Sequence, residues 1–422
     1  AQAAHGSFGR AKSVILFGLV GGTPQHESWD PKPDAPAEIR GEFGLIDSAT
    51  PGLRVGELMP KTAKMSDRIA VLRAVVSGDN SHSSSGYQMM TGIPHQPLNR
   101  ESALPKPPND WPNMGAVVRA LRDGPGRLPA AITLPEHIWN DGNFPWPGQD
   151  AGFLGRRYDP WLIHCQPQDD QFDFPGLARG ADLPEFRLDQ RRSLLEQMNA
   201  AYQRLEEGAA VGGYRLHARQ AMDLLAGSQA RSAFDLRQER PEMRERYGMG
   251  RFAQSCLLAR RLVEAGVSLV QVNWTRIKGY ENQGGWDTHK KHGESLKKLL
   301  MPRMDQCFTA LLEDLEQRGL LEETLVVWLS EFGHTPRING NAGRDHWGHV
   351  YSLALAGGGV RGGTVHGTSD GHAAYPVDGM VRPRDLIATV FHCLGYPPDA
   401  EVRDPLGRPL AISRGRVIDE IL

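Results

Sequence analysis

Thr324-Leu-Val-Val-Trp-Leu-Ser-Glu331-Phe-Gly-His334 is the stretch that decides how this chain of 422 residues is read. Its apolar, β-branched run has the composition of a buried strand. An acid, a glycine and a histidine follow at once, so the strand delivers candidate ligands to its C-terminal edge, where open α/β sheets build their sites. Gly343-Arg-Asp345-His346-Trp-Gly-His349 lies just beyond, and Trp286-Asp287-Thr-His289-Lys-Lys-His292 precedes it. Seven of the fifteen histidines fall between His289 and His372. Imidazoles and carboxylates gathered in this way suit a divalent metal with mixed nitrogen and oxygen ligands.

Working outward, 13–20 is a short apolar run bounded by Gly21-Gly22 and predicts a first, central strand. Further strands are predicted at 69–76, 130–134, 267–273 and 325–329. The segment 105–147, rich in Pro, Gly, Trp and Asn, reads as irregular apart from its one strand. The pattern at 183–264 is helical and predicts an insertion lying over the sheet. An amphipathic helix is expected at 293–318, stopped by Gly319, and a last helix near Arg384, bounded by Pro383. The whole, 1–422, reads as a single α/β domain.

Composition removes several classes of function. A net charge of −2 with 23% charged residues provides no global field for nucleic acid or an anionic membrane. No apolar run is long enough to span a bilayer. Cys165, Cys256, Cys307 and Cys393 are widely spaced with no CxxC pair, which argues against a thiolate zinc site and predicts free buried thiols. There is no Gly-x-Ser-x-Gly elbow, no P-loop and no dinucleotide fingerprint, which argues against a serine esterase, an NTPase and a dehydrogenase. The start, Ala1-Gln-Ala-Ala4, reads as a mature chain after cleavage at a small-residue site and predicts an exported, periplasmic or secreted protein, although a truncated chain would look the same.

Several residues are candidates for the chemistry. A loop leaving a strand can fold Asp287 and His289 onto one ion. Glu331 ends an apolar strand, where a carboxylate is costly to bury unless it is metal-bound or paired, for instance with Arg337 or Arg344. Asp345 and His346 form a second pair, in which Asp345 is either a ligand or the partner that orients an imidazole. Glu27, in the loop after the first strand, is a further candidate ligand. His82 follows Asn80-Ser81 and is expected at a helix start, with Ser83-Ser84-Ser85 behind it.

With these residues in view, the chain resembles the DUF1501 group of sulfatase-like proteins of the alkaline phosphatase superfamily. The resemblance rests on Gly21-Gly-Thr-Pro-Gln-His-Glu-Ser-Trp-Asp-Pro31 and its continuation to Phe43, on Trp286-Asp-Thr-His289, on Glu331-Phe-Gly and on Gly343-Arg-Asp-His-Trp347. It implies a three-layer α/β sandwich, a central and mostly parallel sheet with helices on both faces, with metals at the strands' C-terminal ends. It implies Asp287, His289 and His346 as ligands of a first metal, with Glu331 and Glu27 near a second. Phe332 stands where a further ligand is usual, so one metal is expected to bind well and a second weakly or not at all. Zinc or manganese is expected rather than calcium.

The superfamily's nucleophile position falls on His82, nine residues before Thr91-Gly92, or on Ser83 after a one-residue shift. Ser84 and Gly86 replace the Pro and Arg of the sulfatase Cys-x-Pro-x-Arg motif, which closes the formylglycine route. The resemblance therefore implies metal-dependent hydrolysis of a sulfate or phosphate ester. Either His82 or Ser83 would attack, or a metal-bound hydroxide would, with His82 as a metal ligand; Arg344 would bind the anion, and a sulfated or phosphorylated carbohydrate is a candidate substrate. The alternatives are a phosphodiesterase or phosphotransferase on the same scaffold, and a non-catalytic metal-containing protein that binds anionic glycans.

Overall fold

The computed structural model describes residues 6–123, 128–139, 144–169 and 232–422. Eight strands form the main sheet. They are β1 (Ser13–Gly18), β2 (Ile69–Val75), β3 (Ala131–Leu134), β4 (Trp161–Leu162), β5 (Leu269–Asn273), β6 (Thr324–Leu329), β7 (Tyr351–Ala356) and β8 (Val365–His366). Their order across the sheet is β8-β2-β7-β6-β1-β5-β3-β4. β1 is central and pairs in parallel with β5 and β6, as its unbroken apolar composition requires.

Every residue of β1, β5, β6 and β7 is buried, because both faces are covered. Ile15, Phe17, Val326 and Trp328 pack on one face against helices α3 (Arg251–Glu264) and α4 (Met301–Gln317). Val14, Leu16, Leu325 and Val327 alternate to the other face, towards α2 (Met114–Arg122) and α5 (Pro383–Cys393). Helix α1 (His82–Thr91) adds Met89 to that second layer. The result is the three-layer α/β sandwich expected, with helices on both sides of a mostly parallel sheet.

Only β7 breaks the parallel pattern, running antiparallel to β2 and β6. Tyr351, at its start, pairs with Val75, at the end of β2. Residues just before β7 therefore share an edge with the residues that follow β1, β2, β5 and β6. That single reversal brings His346 to the edge that already holds His82, Asp287 and Glu331.

Two expectations need correction. The segment 105–147 is not wholly irregular, since it contains α2, whose N-terminus Asn113 caps by accepting from Gly115 N (2.6 Å) and Ala116 N (3.2 Å). The helix expected at 293–318 is three consecutive pieces, an α turn at His292–Ser295, a π turn at Leu296–Leu300, and α4. Pro302 lacks the N–H that a regular helix would use there, which accounts for the break. Of the helical insertion read at 183–264, the part up to 231 lies outside the described residues. The remainder contains a short helix (Pro241–Tyr247) and α3, and α3 packs directly on the sheet. All four cysteines are buried and unpaired. Among the described residues, no helix is long and apolar enough to cross a membrane.

Candidate metal centre

Gly21 is where the centre begins to be built. Its φ of +116° suits glycine, and a Cβ there would stand 2.1 Å from the Asp287 amide nitrogen. The loop after β1 can thus pass directly under the loop after β5. The same Gly21 donates its N–H to Glu331 Oε1 at 2.8 Å. Glu331, at the end of β6, also accepts from His82 Nδ1 at 2.9 Å. Its burial is compensated by these two bonds to Oε1 and by the Ser330 hydroxyl 3.5 Å from Oε2, and neither Arg337 nor Arg344 is its partner.

Asp287 is the hub. Its Oδ1 lies 2.9 Å from His289 Nε2 and 3.0 Å from His346 Nε2, while Oδ2 lies 3.3 Å from His82 Nε2. The two nitrogens that share Oδ1 are 3.1 Å apart. The far side of each ring is held by a separate acceptor. His346 Nδ1 donates to the Asn80 carbonyl at 2.7 Å, and His289 Nδ1 to Asp345 Oδ1 at 2.7 Å. Asp345 is therefore an orienting partner, one of the two roles its position allowed.

This arrangement fits a divalent cation. With Nδ1–H committed to Asn80 and Asp345, the neutral His346 and His289 each direct an Nε2 lone pair at the same carboxylate oxygen. Three lone-pair donors so close repel one another unless protons or a cation lie among them. Without a cation, His289 and His82 take up protons. Hydrogen bonding to Asp287, working against burial, raises His289 to about 9. For His82, burial disfavours the charged ring, but the hydrogen bonds to Asp287 and Glu331 outweigh it and push the group up to about 10. Burial likewise opposes ionisation of Asp287, yet its three imidazoles hold it well below the usual carboxylate range. A cation would supply the positive charge that these protons otherwise bring.

His82 opens helix α1 as expected, but Ser81 makes no side-chain cap; the His82 N–H instead donates to Glu101 Oε1 at 3.1 Å. Ser83 faces away from the cluster, its hydroxyl bonded to the carbonyls of Arg100 (2.8 Å) and Glu101. Of the two candidates, the His82 imidazole is the one that reaches Asp287.

Two other candidates are placed elsewhere. Arg344 is fully buried, and all five of its N–H donors are engaged. Nε and Nη2 bind Glu27 Oε1 at 3.0 and 2.6 Å, Nη1 binds the Thr335 carbonyl at 3.0 Å and that of Pro336, and Nη2 also binds the Ile39 carbonyl at 2.8 Å. No donor is left for a substrate anion. Glu27 is held by that guanidinium, with its other oxygen 3.2 Å from His292 Nε2, and so does not join the ligands of Asp287. The pair ties the loop after β1 to the loop before β7.

The walls of the centre had little signal in the sequence. The Phe332 ring stacks on His346, with centroids 4.4 Å apart, and so forms a packing surface at the cluster. Trp146 stacks on His82 at 5.7 Å and presses against Gly86, where a Cβ would meet its ring at 2.3 Å. The Asn80 carbonyl is a backbone group, which composition and spacing do not reveal.

Fold and site together define an α/β protein with an imidazole–carboxylate cluster at the C-terminal edge of its sheet. The family model described as "Protein of unknown function (DUF1501)" matches residues 11–422, and the chain belongs to that family. A comparison with curated proteins finds no match. Similar solved structures include the phosphonate monoester hydrolase SpPMH from Silicibacter pomeroyi (12% identity, TM-score 0.40, 96% of this chain and 76% of that chain). The PsFucS1 sulfatase from Pseudoalteromonas sp. is similar at 14% identity and TM-score 0.39, over 94% of this chain and 71% of that chain. The lipoteichoic acid synthase LtaP from Listeria monocytogenes is similar at 8% identity and TM-score 0.41, over 98% and 78% respectively.

Proposed function

We propose that this protein is a metal-dependent hydrolase of sulfate or phosphate esters, in which Asp287, His289 and His346 hold one divalent cation and His82 acts beside it. The observation that carries this reading is the convergence of two anchored imidazoles on one oxygen of Asp287. Zinc or manganese suits these donors better than calcium, which takes oxygen ligands throughout. When bound, the cation would polarise an ester oxygen and make a water acidic enough to attack at neutral pH. One cation is proposed, because Glu27 is committed to Arg344 and Glu331 Oε1 to His82 and Gly21.

Asp345 and the Asn80 carbonyl fix the orientation of the ligand rings. Glu331 accepts the Nδ1 proton of His82, so the Nε2 proton of the imidazolium faces the cluster and can pass to the leaving-group oxygen of an ester. With Ser83 turned away and no cysteine at either position, neither a serine nor a formylglycine nucleophile is part of this scheme. His82, Asp287 and His346 can also offer one donor atom each within 4.8 Å of one another, which supports an alternative in which a neutral His82 is a ligand in place of a proton donor. The substrate class proposed is a sulfated or phosphorylated carbohydrate, met by an exported enzyme.

Metal content of the purified protein, measured with release of sulfate and phosphate from aryl esters before and after chelation, tests the reading. Bound metal with chelator-sensitive turnover supports it, and the anion released names the ester. Absence of both metal and turnover after supply of zinc, manganese and calcium overturns it. His82→Ala then separates the two roles of the imidazole. Loss of turnover with metal retained makes it the proton donor, whereas loss of the metal makes it a ligand.

A further inference from the structure

A cavity of about 580 Å³ opens between the segment that follows β5 and the start of α3. It is absent from the catalytic scheme above. Arg251, Arg276, Lys278 and Arg303 are among the residues lining it, and among the described residues no Asp or Glu is. In a chain whose net charge is −2, a cavity whose described lining has four cations and no acid is a marked local excess. Arg251 is committed to Glu136 at 3.0 Å and to the Cys165 carbonyl, and Arg276 donates to Gln283 at 2.9 Å. Lys278 and Arg303 are exposed and form no ion pair with a described residue; Arg303 has only the Tyr280 ring, 5.9 Å away. The floor is apolar and aromatic, with Phe252 and Trp274 in contact at a centroid distance of 4.8 Å.

Trp274 links the cavity to the centre. It follows β5 directly, and its ring meets that of Trp286 at 5.3 Å; Trp286 is the chain neighbour of Asp287. A single loop thus carries the cavity floor at one end and the hub of the metal cluster at the other. Sugar rings present C–H faces that pack on aromatic and aliphatic surface, while their sulfate or phosphate groups seek guanidinium and ammonium donors. An apolar floor rimmed by cations offers both at once.

Resting on the hydrolase reading, we infer that this cavity is a subsite for a multiply charged anionic oligosaccharide, held by Lys278 and Arg303 while one of its esters lies at the metal centre. Binding of a labelled sulfated oligosaccharide and of its desulfated counterpart to the full chain and to the Lys278→Ala, Arg303→Ala double variant tests this, by titration at low and at physiological ionic strength. Both side chains are exposed, so circular dichroism is expected to show an unchanged fold. The expected result is preference of the unaltered protein for the sulfated ligand, with about tenfold weaker binding in the double variant and a shallower salt dependence. Equal affinity for sulfated and desulfated ligands, equal affinity of the two proteins, or no binding at all overturns the inference. Aryl-ester turnover of the unaltered protein is measured separately. Turnover without ligand discrimination removes the subsite and leaves the hydrolase, while ligand discrimination without turnover removes the hydrolase reading and leaves an anionic-glycan site.

Discussion

Replacing Arg344 with Met separates a substrate-binding arginine from a structural one. The substitution leaves the Glu27 carboxylate buried, 2% exposed, without its guanidinium, and removes the donors to the carbonyls of Thr335, Pro336 and Ile39. Removing one partner of a buried ion pair costs about 3–5 kcal/mol, because the remaining charge stays desolvated. Unfolding entropy near 2.1 cal/mol/K per residue amounts to about 0.9 kcal/mol/K for this chain of 422 residues, so a cost near 4 kcal/mol lowers the Tm by roughly 4–5 °C. Calorimetry of the chelated protein measures this, paired with ester turnover well below the transition. The expected outcome is a clear fall in Tm with turnover per folded molecule kept within a few-fold. Arg344→Lys is expected to recover only part of the loss, since an ammonium cannot reproduce the fork on Glu27 and the three carbonyls. A Tm within about a degree of the parent, together with abolished turnover, would refute the reasoning and return Arg344 to the substrate.

Asp345→Asn takes the carboxylate from His289 Nδ1, and metal affinity is expected to fall about 10–100-fold in competition with a chromophoric chelator; unchanged affinity would show that Asp345 does not orient the ligand. Ser83→Ala should cost about 1 kcal/mol of stability from its lost carbonyl bonds and keep turnover, whereas a loss as deep as that of His82→Ala would make the serine the nucleophile. His26 predicts a pH dependence. Burial, with the nearby Arg344 charge, lowers its pKa from 6.5 to about 4, so between those values the unfolded chain binds a proton that the native protein does not. Stability therefore rises with pH across that window, and about 3 kcal/mol is lost on acidification from 6.5 to 4. Urea titrations of the parent and of His26→Gln should differ in slope by nearly one proton there, and identical slopes would exclude His26 as the source.

Much of the fold was legible because a sheet covered on both faces writes itself as unbroken apolar runs. The strands at 13–20, 69–76, 267–273 and 325–329 matched those seen to within two residues at either end. Helix α2 was missed because its local composition is dominated by flanking Pro, Gly and Asn; its amphipathic face gains meaning only against β3 and β5. Asp287, His289 and His346 were legible as candidate ligands through residue type and position beside strand ends, and the structure brings their donor atoms together. Glu27 and Arg344 were not, because a carboxylate and a guanidinium look alike in sequence whether they meet a ligand or each other.

By itself, the sequence determined which residues the chain could bring to a metal, and that a buried parallel sheet would carry them to one edge. Hydrophobic periodicity and donor chemistry are local properties, and they survive being read one residue at a time. Which donors meet was decided by tertiary structure alone. The reversed direction of β7 brings His346 to the edge of Asp287, the bare Cα of Gly21 lets two loops cross, and the buried pair of Glu27 with Arg344 removes both from the site. Those outcomes depend on distances between segments remote in the chain, and on the cost of leaving any buried charge or lone pair without a partner.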